Sequence, residues 1–433
     1  MRLVLLAVGS RGDVQPFVAL AVGLRAAGFD AIVATLPLYR DLVESRGVPY
    51  RKLVDNAEEI YASQTTLQLG GSGRNPLVAL REARALSELM WSELAPDIEE
   101  ACADADAILY SLLGHGGYAI AELRGIPAIG LHMAPMTVTS EFPNTFAAQA
   151  FADLGGPGNR LSHLVGERLI WATVGDQVQR WRKDHLGLPP VGKGGLVRQL
   201  RLDRAPMVYG YSPTLLPKPA DWGEEHTVTG YWMPAPRSSW QASAALDDFL
   251  QGPAPVFAGF GSWQVANGRQ LFNDVRAACR NVGARLVITA DGWLDGVDRA
   301  DLDLDDEVFI LDAAPHDWLF PQMAAIIHHG GSGAAHFAMR SGRPSIATPS
   351  FADQFFWGHR LGELGVGPKA IPRKKITADN LTAALGRALS DSAIQRRAAD
   401  IGERISAEDG IATAVATITR ILEKEPRSAL SEN

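Results

Sequence analysis

Short apolar runs, separated by longer stretches of helical period, recur along this whole chain. In the first half they are "LVLLAV", "DAIVAT", "DAILY", "PAIGLH" and "MVYGY", and in the second "APVFAGF", "ARLVITA", "VFIL", "AAIIHH" and "PSIATP". Such runs predict buried parallel strands joined by helices, the βαβ pattern covered on both faces. Both halves read as doubly wound α/β domains. Between them "SPTLLPKPADWGEEHTVTGYWMPAPR" carries Pro213, Pro217, Pro219, Pro234 and Pro236 and keeps neither period, which predicts a joint. The expected division is 1–215, a linker over 216–240, a second domain over 241–405 and a last helix over 406–425. That helix places Ile411, Val415, Ile418 and Ile421 or Leu422 on one face, so it needs an apolar partner.

Composition narrows the partners. The 433 residues suit two domains. A net charge of -8 argues against nucleic acid, whose phosphates need a basic face. Cys102 and Cys279 are the only cysteines and form no ligand spacing, which suits a reducing, cytoplasmic setting. The N-terminal apolar run reads as a strand rather than a signal peptide, because no small-x-small cleavage pattern follows. No stretch approaches the roughly 20 apolar residues of a transmembrane segment.

Two glycine turns carry the candidate chemistry. "HHGGSGAAHFAMRSGRP" runs from a strand into a helix that stops near Gly342, a place where backbone N–H groups meet an anion such as pyrophosphate. A nicotinamide fingerprint fits poorly. Gly331 and Gly333 supply GxG, but His336 holds the third glycine position and Asp353 falls in a loop beyond the next strand. A metal held by His328, His329 and His336 is disfavoured, since adjacent strand residues point to opposite faces; one of the histidine pair should face the loop and the other the core. The second turn, "GSRGDVQP", sets Asp13 at the mouth of a helix whose buried stripe is Phe17, Leu20, Ala21 and Leu24, with Pro16 in the first turn. The tripeptide Arg11 to Asp13 matches an adhesion motif by chance.

"GSRGDVQPF", "GYSPTLLPKPADW", "TGYW", "FAGFGSW", "APHDWLFP", "HHGGSGAAHFAMRSGRP" and "ADQFFWGHRL", in that order over roughly residues 1 to 420, resemble GT-B glycosyltransferases. The similarity is to the sterol 3-β-glucosyltransferase-like and antibiotic glycosyltransferase group. The resemblance implies two Rossmann-like domains facing across a cleft, with the acceptor on the N-terminal domain and the nucleotide sugar on the C-terminal one. It implies inverting transfer of a hexose from a UDP- or TDP-sugar to a hydroxyl of a lipophilic small molecule, with the nucleotide sugar as co-substrate and no metal. It also implies that the last helix crosses back to the N-terminal domain. A nucleotide-sugar epimerase or a non-catalytic sugar-nucleotide binder on the same fold are the alternatives.

By the same resemblance His329 contacts the diphosphate, to which Gly331, Ser332, Gly333 and Ala334 offer backbone N–H groups. His329 as a structural turn residue is the competing reading. Asp353 and Gln354 match an acid-plus-Gln pair that bonds sugar hydroxyls, against a plain N-cap and solvated loop. Ser262 matches a diphosphate contact from another strand end, or is a turn serine. Ala313 stands where the better-known plant members place a stacking tryptophan, and Trp318 is expected to pack rather than stack on a base. Met133, Met136, Phe142 and Trp171 form an apolar set for a lipophilic pocket, each of which could equally be core. Asp13 either caps its helix or accepts the acceptor's proton. As a carboxylate at a helix N-terminus it is expected to have a lowered pKa. If it is only a cap, His115 and His132 are the next candidates for the base.

Overall fold

The computed structural model describes residues 1–55, 76–147, 153–192, 194–235, 240–261, 267–290, 293–294, 297–298, 300, 302 and 304–424. The first sheet holds β1 (Arg2–Leu6), β2 (Asp30–Thr35), β3 (Tyr50–Lys52), β4 (Ala107–Tyr110), β5 (Ala128–His132), β6 (Met207–Tyr209) and β7 (His226–Val228), in the order β3-β2-β1-β4-β5-β6-β7. The second holds β8 (Val256–Gly259), β9 (Leu286–Thr289), β10 (Val308–Leu311), β11 (Ala325–His328) and β12 (Ser345–Ala347), in the order β10-β9-β8-β11-β12. The pairing is parallel throughout, with Leu3 between Ala31 and Ala107 and Phe257 between Val287 and Ile326. Nine of the ten apolar runs contain a strand whole, and β1 begins one residue before the first run. The two strands without such a run, β3 and β7, are three residues each and too short to display a period. β7 lies inside the stretch read as a joint and adds an edge to the first sheet.

Strand order reverses between β1 and β4 in one sheet and between β8 and β11 in the other. Crevices beyond the carboxyl ends of strands at such switch points are where ligands bind in open α/β sheets. The loop after β1 leads into the helix Arg11–Ala26, and the loop after β11 leads into the helix Ser332–Arg340. Both glycine turns therefore stand at switch points.

The first helix begins before the stretch expected for it, so Pro16 falls in the second turn rather than the first. Proline there deprives the Gly12 carbonyl of its helical donor, and Gly12 is exposed enough for water to replace it. The last helix, Gly410–Lys424, buries Ala414, Thr417, Ile418 and Leu422, with Ile411, Val415 and Ile421 half-buried beside them. Its partner is the first helix, at Gly23: a Cβ there would collide with Ile411 Cγ2 and lie 3.3 Å from Val415 Cγ2. Gly23→Val should therefore cost about 1–3 kcal/mol by overpacking. Adding Ile411→Ala should return part of that in urea denaturation, whereas equal losses in both backgrounds would contradict the contact.

Candidate active site

Asp13 is the third residue of its helix, and Ser10 is the N-cap in extended conformation. The carboxylate turns back on the cap, with Oδ2 accepting from the Ser10 backbone N–H at 2.8 Å and from Ser10 Oγ at 2.9 Å. Gly9 permits this, because its φ is +142° and a Cβ on it would sit 2.5 Å from Asp13 Oδ2. Asp13 thus caps in part, through one oxygen, and Oδ1 has no protein partner among the described residues. The expected lowering of its pKa is overturned. Solvent reaches the carboxylate on one side, but protein crowds it on the others, and that desolvation outweighs the Ser10 bonds and raises the pKa above the ordinary carboxylate value. Its charge is felt by Tyr39 and Tyr231, whose hydroxyl pKa values are raised chiefly by burial and further by Asp13.

The histidines at the end of β11 part as strand geometry requires. His328 turns into the core, where Nδ1 accepts from Gly330 N–H at 3.0 Å and Nε2 therefore donates to Ser345 Oγ at 2.6 Å. His329 turns to the loop, beside Gly261 and Gly331, and its buried Nδ1 has no protein partner among the described residues. Burial, with the neighbouring Arg373 charge, pushes His329 down to about 4, so it is neutral near pH 7. Gly330 has φ +83° and Gly331 lies so close to His329 Nε2 that a Cβ would stand 2.5 Å away. Beyond them Ser332, Gly333 and Ala334 open a helix, so their amides lack intrahelical acceptors. A Cβ on Gly333 would meet Tyr231 Oη at 3.0 Å.

This helix start is also fastened to the first half of the chain. Ser332 Oγ donates to the Met133 carbonyl at 2.8 Å. Buried His336 accepts the Ser212 N–H through Nε2 at 3.0 Å and so donates from Nδ1 to the Ser332 carbonyl at 2.6 Å. Its ring stacks on Tyr231, and burial pushes its pKa down to about 4. Ser212 in turn donates to Glu408 at 2.7 Å, and Arg360 donates to the Leu215 carbonyl at 2.7 Å.

Asp353 stands at the N-cap position of the helix Gln354–Glu363, yet its side chain makes no capping bond, so the N-cap reading fails. Ala352 before it adopts φ +51°, an uncommon conformation that a bulky residue would strain. The carboxyl lies by the Ser332 amide and the Trp357 indole, which both favour its charge. Burial first and the charge of Asp13 second overcome them and raise its pKa to about 7. The two carboxylates, one from each half, thus share one field. Gln354 is buried, with Oε1 accepting from Ser350 N–H at 2.9 Å, and its Nε2 has no protein partner among the described residues.

The remaining candidates divide. Ser262 lies outside the described residues. Met133 and Phe142 are buried, Phe142 against Phe356 of the second half with centroids 5.3 Å apart. Met136 and Trp171 are half-buried, and Trp171 lies against Gly175 and Gly195. Trp318 pairs with Trp240 at 4.7 Å, as packing requires. His115 is held by the Leu112 carbonyl and stacked on Trp91, and His132 lies against Tyr209. Among the described residues no group of three or more His, Cys, Asp or Glu is placed to hold a metal. Sequence reasoning missed Ser10, Tyr231, Ser212 and Arg373; only Ser10, three residues before an acid at a helix start, leaves a local signal.

Residues 3–143 match the glycosyltransferase family 28 N-terminal domain, and residues 276–421 match the erythromycin biosynthesis protein CIII-like C-terminal domain. Both halves thus match glycosyltransferase domain families, and the fold is GT-B. The sterol 3-beta-glucosyltransferase of Neosartorya fischeri is 32% identical over 433 residues, covering 98% of this chain and 30% of the relative. That of Saccharomyces cerevisiae is 33% identical, covering 97% and 35%. The chain thus spans about a third of the length of these curated relatives. Among solved structures, the glycotransferase of kitacinnamycin superposes with TM-score 0.71 at 21% identity, over 97% of this chain and 98% of that one. SsfS6 of Streptomyces sp. SF2575, complexed with thymidine diphosphate, gives 0.61 at 15% identity, over 97% and 99%. These neighbours carry the same GT-B architecture.

A raised acid pKa means that the folded state of this GT-B protein holds a proton which the unfolded chain has released. Between about pH 4 and pH 7 stability should therefore fall as pH rises through the Asp353 transition, because the unfolded state binds fewer protons. Denaturant titrations at several pH values should show that slope, and Asp353→Asn should flatten it. An unchanged slope in the variant would remove Asp353 as its source.

Proposed function

We propose that the protein transfers a hexose from a UDP- or TDP-sugar to a hydroxyl of a lipophilic small molecule, with inversion at the anomeric carbon. The observation that carries this reading is that the charge of Asp13, in the first half, reaches Asp353 in the second and Tyr231 in the joint, and that the Tyr231 hydroxyl lies against Gly333 of the His329 to Ala334 turn. In this reaction the acceptor hydroxyl gives its proton to Asp13 Oδ1 as its oxygen attacks the anomeric carbon. The sugar–phosphate bond breaks on the opposite face, and the diphosphate takes the bonding electrons. The Gly333 and Ala334 amides at the helix start and the neutral His329 ring are suited to receive that charge, since they are already oriented and need no reorganisation. The raised pKa of Asp13 makes it a stronger base than an ordinary carboxylate. Asp353 and the Gln354 amide then read sugar hydroxyls. The sterol relatives and the thymidine diphosphate bound to SsfS6 support the lipophilic acceptor and the diphosphate donor.

Asp13→Asn keeps an acceptor for the Ser10 N–H but cannot take a proton. It should leave melting and nucleotide binding unchanged and cut turnover by about 10² or more. Turnover near wild type would return Asp13 to capping alone. In thermal shift, UDP or TDP at about 100 times its dissociation constant should stabilise by about 2.7 kcal/mol while NAD does not. A response to NAD alone would sink the donor assignment.

A further inference from the structure

Two tyrosine hydroxyls lie in the field of Asp13, and one of them is already engaged. Tyr39 takes the Arg11 backbone N–H. Tyr231, in the joint, has no protein partner for its hydroxyl among the described residues. A tyrosine as buried as this one, at 6% exposure, ordinarily finds such a partner. Tyr110 and Tyr211 lack one too, but their hydroxyls are enclosed by protein, and neither feels the charge of Asp13. The Tyr231 hydroxyl is not enclosed in that way. It stands against Gly333, where a Cβ would meet Oη at 3.0 Å. Gly333 and Ala334 open a helix and their amides lack intrahelical acceptors, so an unused O–H and unused N–H groups meet at one place.

Packing fixes where this hydroxyl points. The ring stacks on His336, with centroids 4.5 Å and planes 20° apart, and meets Phe337 edge-on at 6.1 Å. Both belong to the same helix as Gly333, so the ring and the turn are held together. The backbone is pinned on either side. Gly230 has φ +98°, and a Cβ there would stand 3.0 Å from Gly410 Cα at the start of the last helix. Trp232 is fully buried and donates from Nε1 to Thr229 Oγ1 at 2.9 Å. Burial first and the Asp13 charge second raise the Tyr231 pKa, so the hydroxyl keeps its proton near pH 7 and offers it as a hydrogen bond. A fixed donor with no acceptor of its own suits an anion that arrives and gains charge beside it.

We propose that the Tyr231 hydroxyl is a catalytic hydrogen-bond donor to the departing diphosphate, acting beside the Gly333 amide. The proposal rests on the transferase reading above and adds a donor from the joint to those of the turn. As the sugar–phosphate bond breaks, the electron pair stays on the diphosphate oxygen and the bond from Tyr231 to that diphosphate strengthens. The proton stays on the tyrosine, because a phenol is a far weaker acid than a phosphate. An interaction that grows as charge develops lowers the barrier rather than only tightening binding.

The test is Tyr231→Phe in the full chain, which keeps the ring and its stack on His336 and removes only the oxygen. Its melting temperature should match wild type. Titration calorimetry with UDP and with TDP should show the dissociation constant of whichever nucleotide wild type binds rising about tenfold, as for loss of a bond to a charged group. Uridine and thymidine, which lack the diphosphate, should bind variant and wild type alike. Release of the nucleoside diphosphate from UDP-glucose or TDP-glucose, with water as the acceptor, should slow by about 10²-fold, as for loss of one preorganised donor. Nucleotide affinity equal to wild type in the variant would overturn the proposal, whether or not transfer to an alcohol is slowed, and would leave the transferase reading standing. An equal loss for the nucleosides and the nucleotides would make the hydroxyl a packing group and also overturn it. Wild type that binds neither UDP nor TDP would remove the donor reading itself, and the proposal with it.

Discussion

The start of the Ser332 helix is fastened to the other half of the chain, and the geometry of the proposed site depends on that. Its Gly333 and Ala334 amides lack intrahelical acceptors, while Ser332 Oγ holds the Met133 carbonyl and His336 holds the Ser212 N–H of the other half. A turn that met a ligand but was free of the first half could approach Asp13 at any distance. Fastened on both sides of the joint, it is held at a set separation from Asp13, as the proposed reaction requires. Misplacement by about 1 Å can cost 10²-fold in rate, so these bonds, remote from the chemistry, belong to it. Both of His336's ring nitrogens are used, one as acceptor and one as donor, which only the neutral ring can satisfy, and burial keeps it neutral.

Burial sets the other charges of the site too. His316, His328 and His329 are all pushed down to between about 3 and about 4, so near pH 7 the second half presents neutral imidazoles. The charge of Asp13 makes ionisation of Asp353 harder. The pKa of Asp353 rises to about 7, and burial raises that of Asp13 as well. A protonated Asp353 can donate to a sugar hydroxyl as well as accept from one, which widens what that position can read.

What could be read from the sequence was whatever local pattern encodes. The ten apolar runs, the glycine turn after "AAIIHH", the separation of His328 from His329 and the apolar face of the last helix all follow from neighbours along the chain. What escaped depends on residues distant in sequence. β3 and β7 gain strand character only from their partners. His336 looked like a failed glycine position until Ser212, more than a hundred residues earlier, was placed on its ring nitrogen. The pKa of Asp13 was misjudged because a helix N-terminus is visible in sequence whereas the protein crowding its carboxylate is not.

The central claim is that one cleft sets a base on one side of an anomeric carbon and a charge acceptor for diphosphate on the other. Its most direct test is the product formed from a UDP- or TDP-hexose and a lipophilic alcohol, followed by mass spectrometry and by NMR of the anomeric centre. The account predicts a hexose-sized gain on the acceptor, release of the nucleoside diphosphate, and an anomeric configuration opposite to that of the donor. Retention of the donor's configuration, or an epimerised donor with the acceptor unchanged, would contradict it.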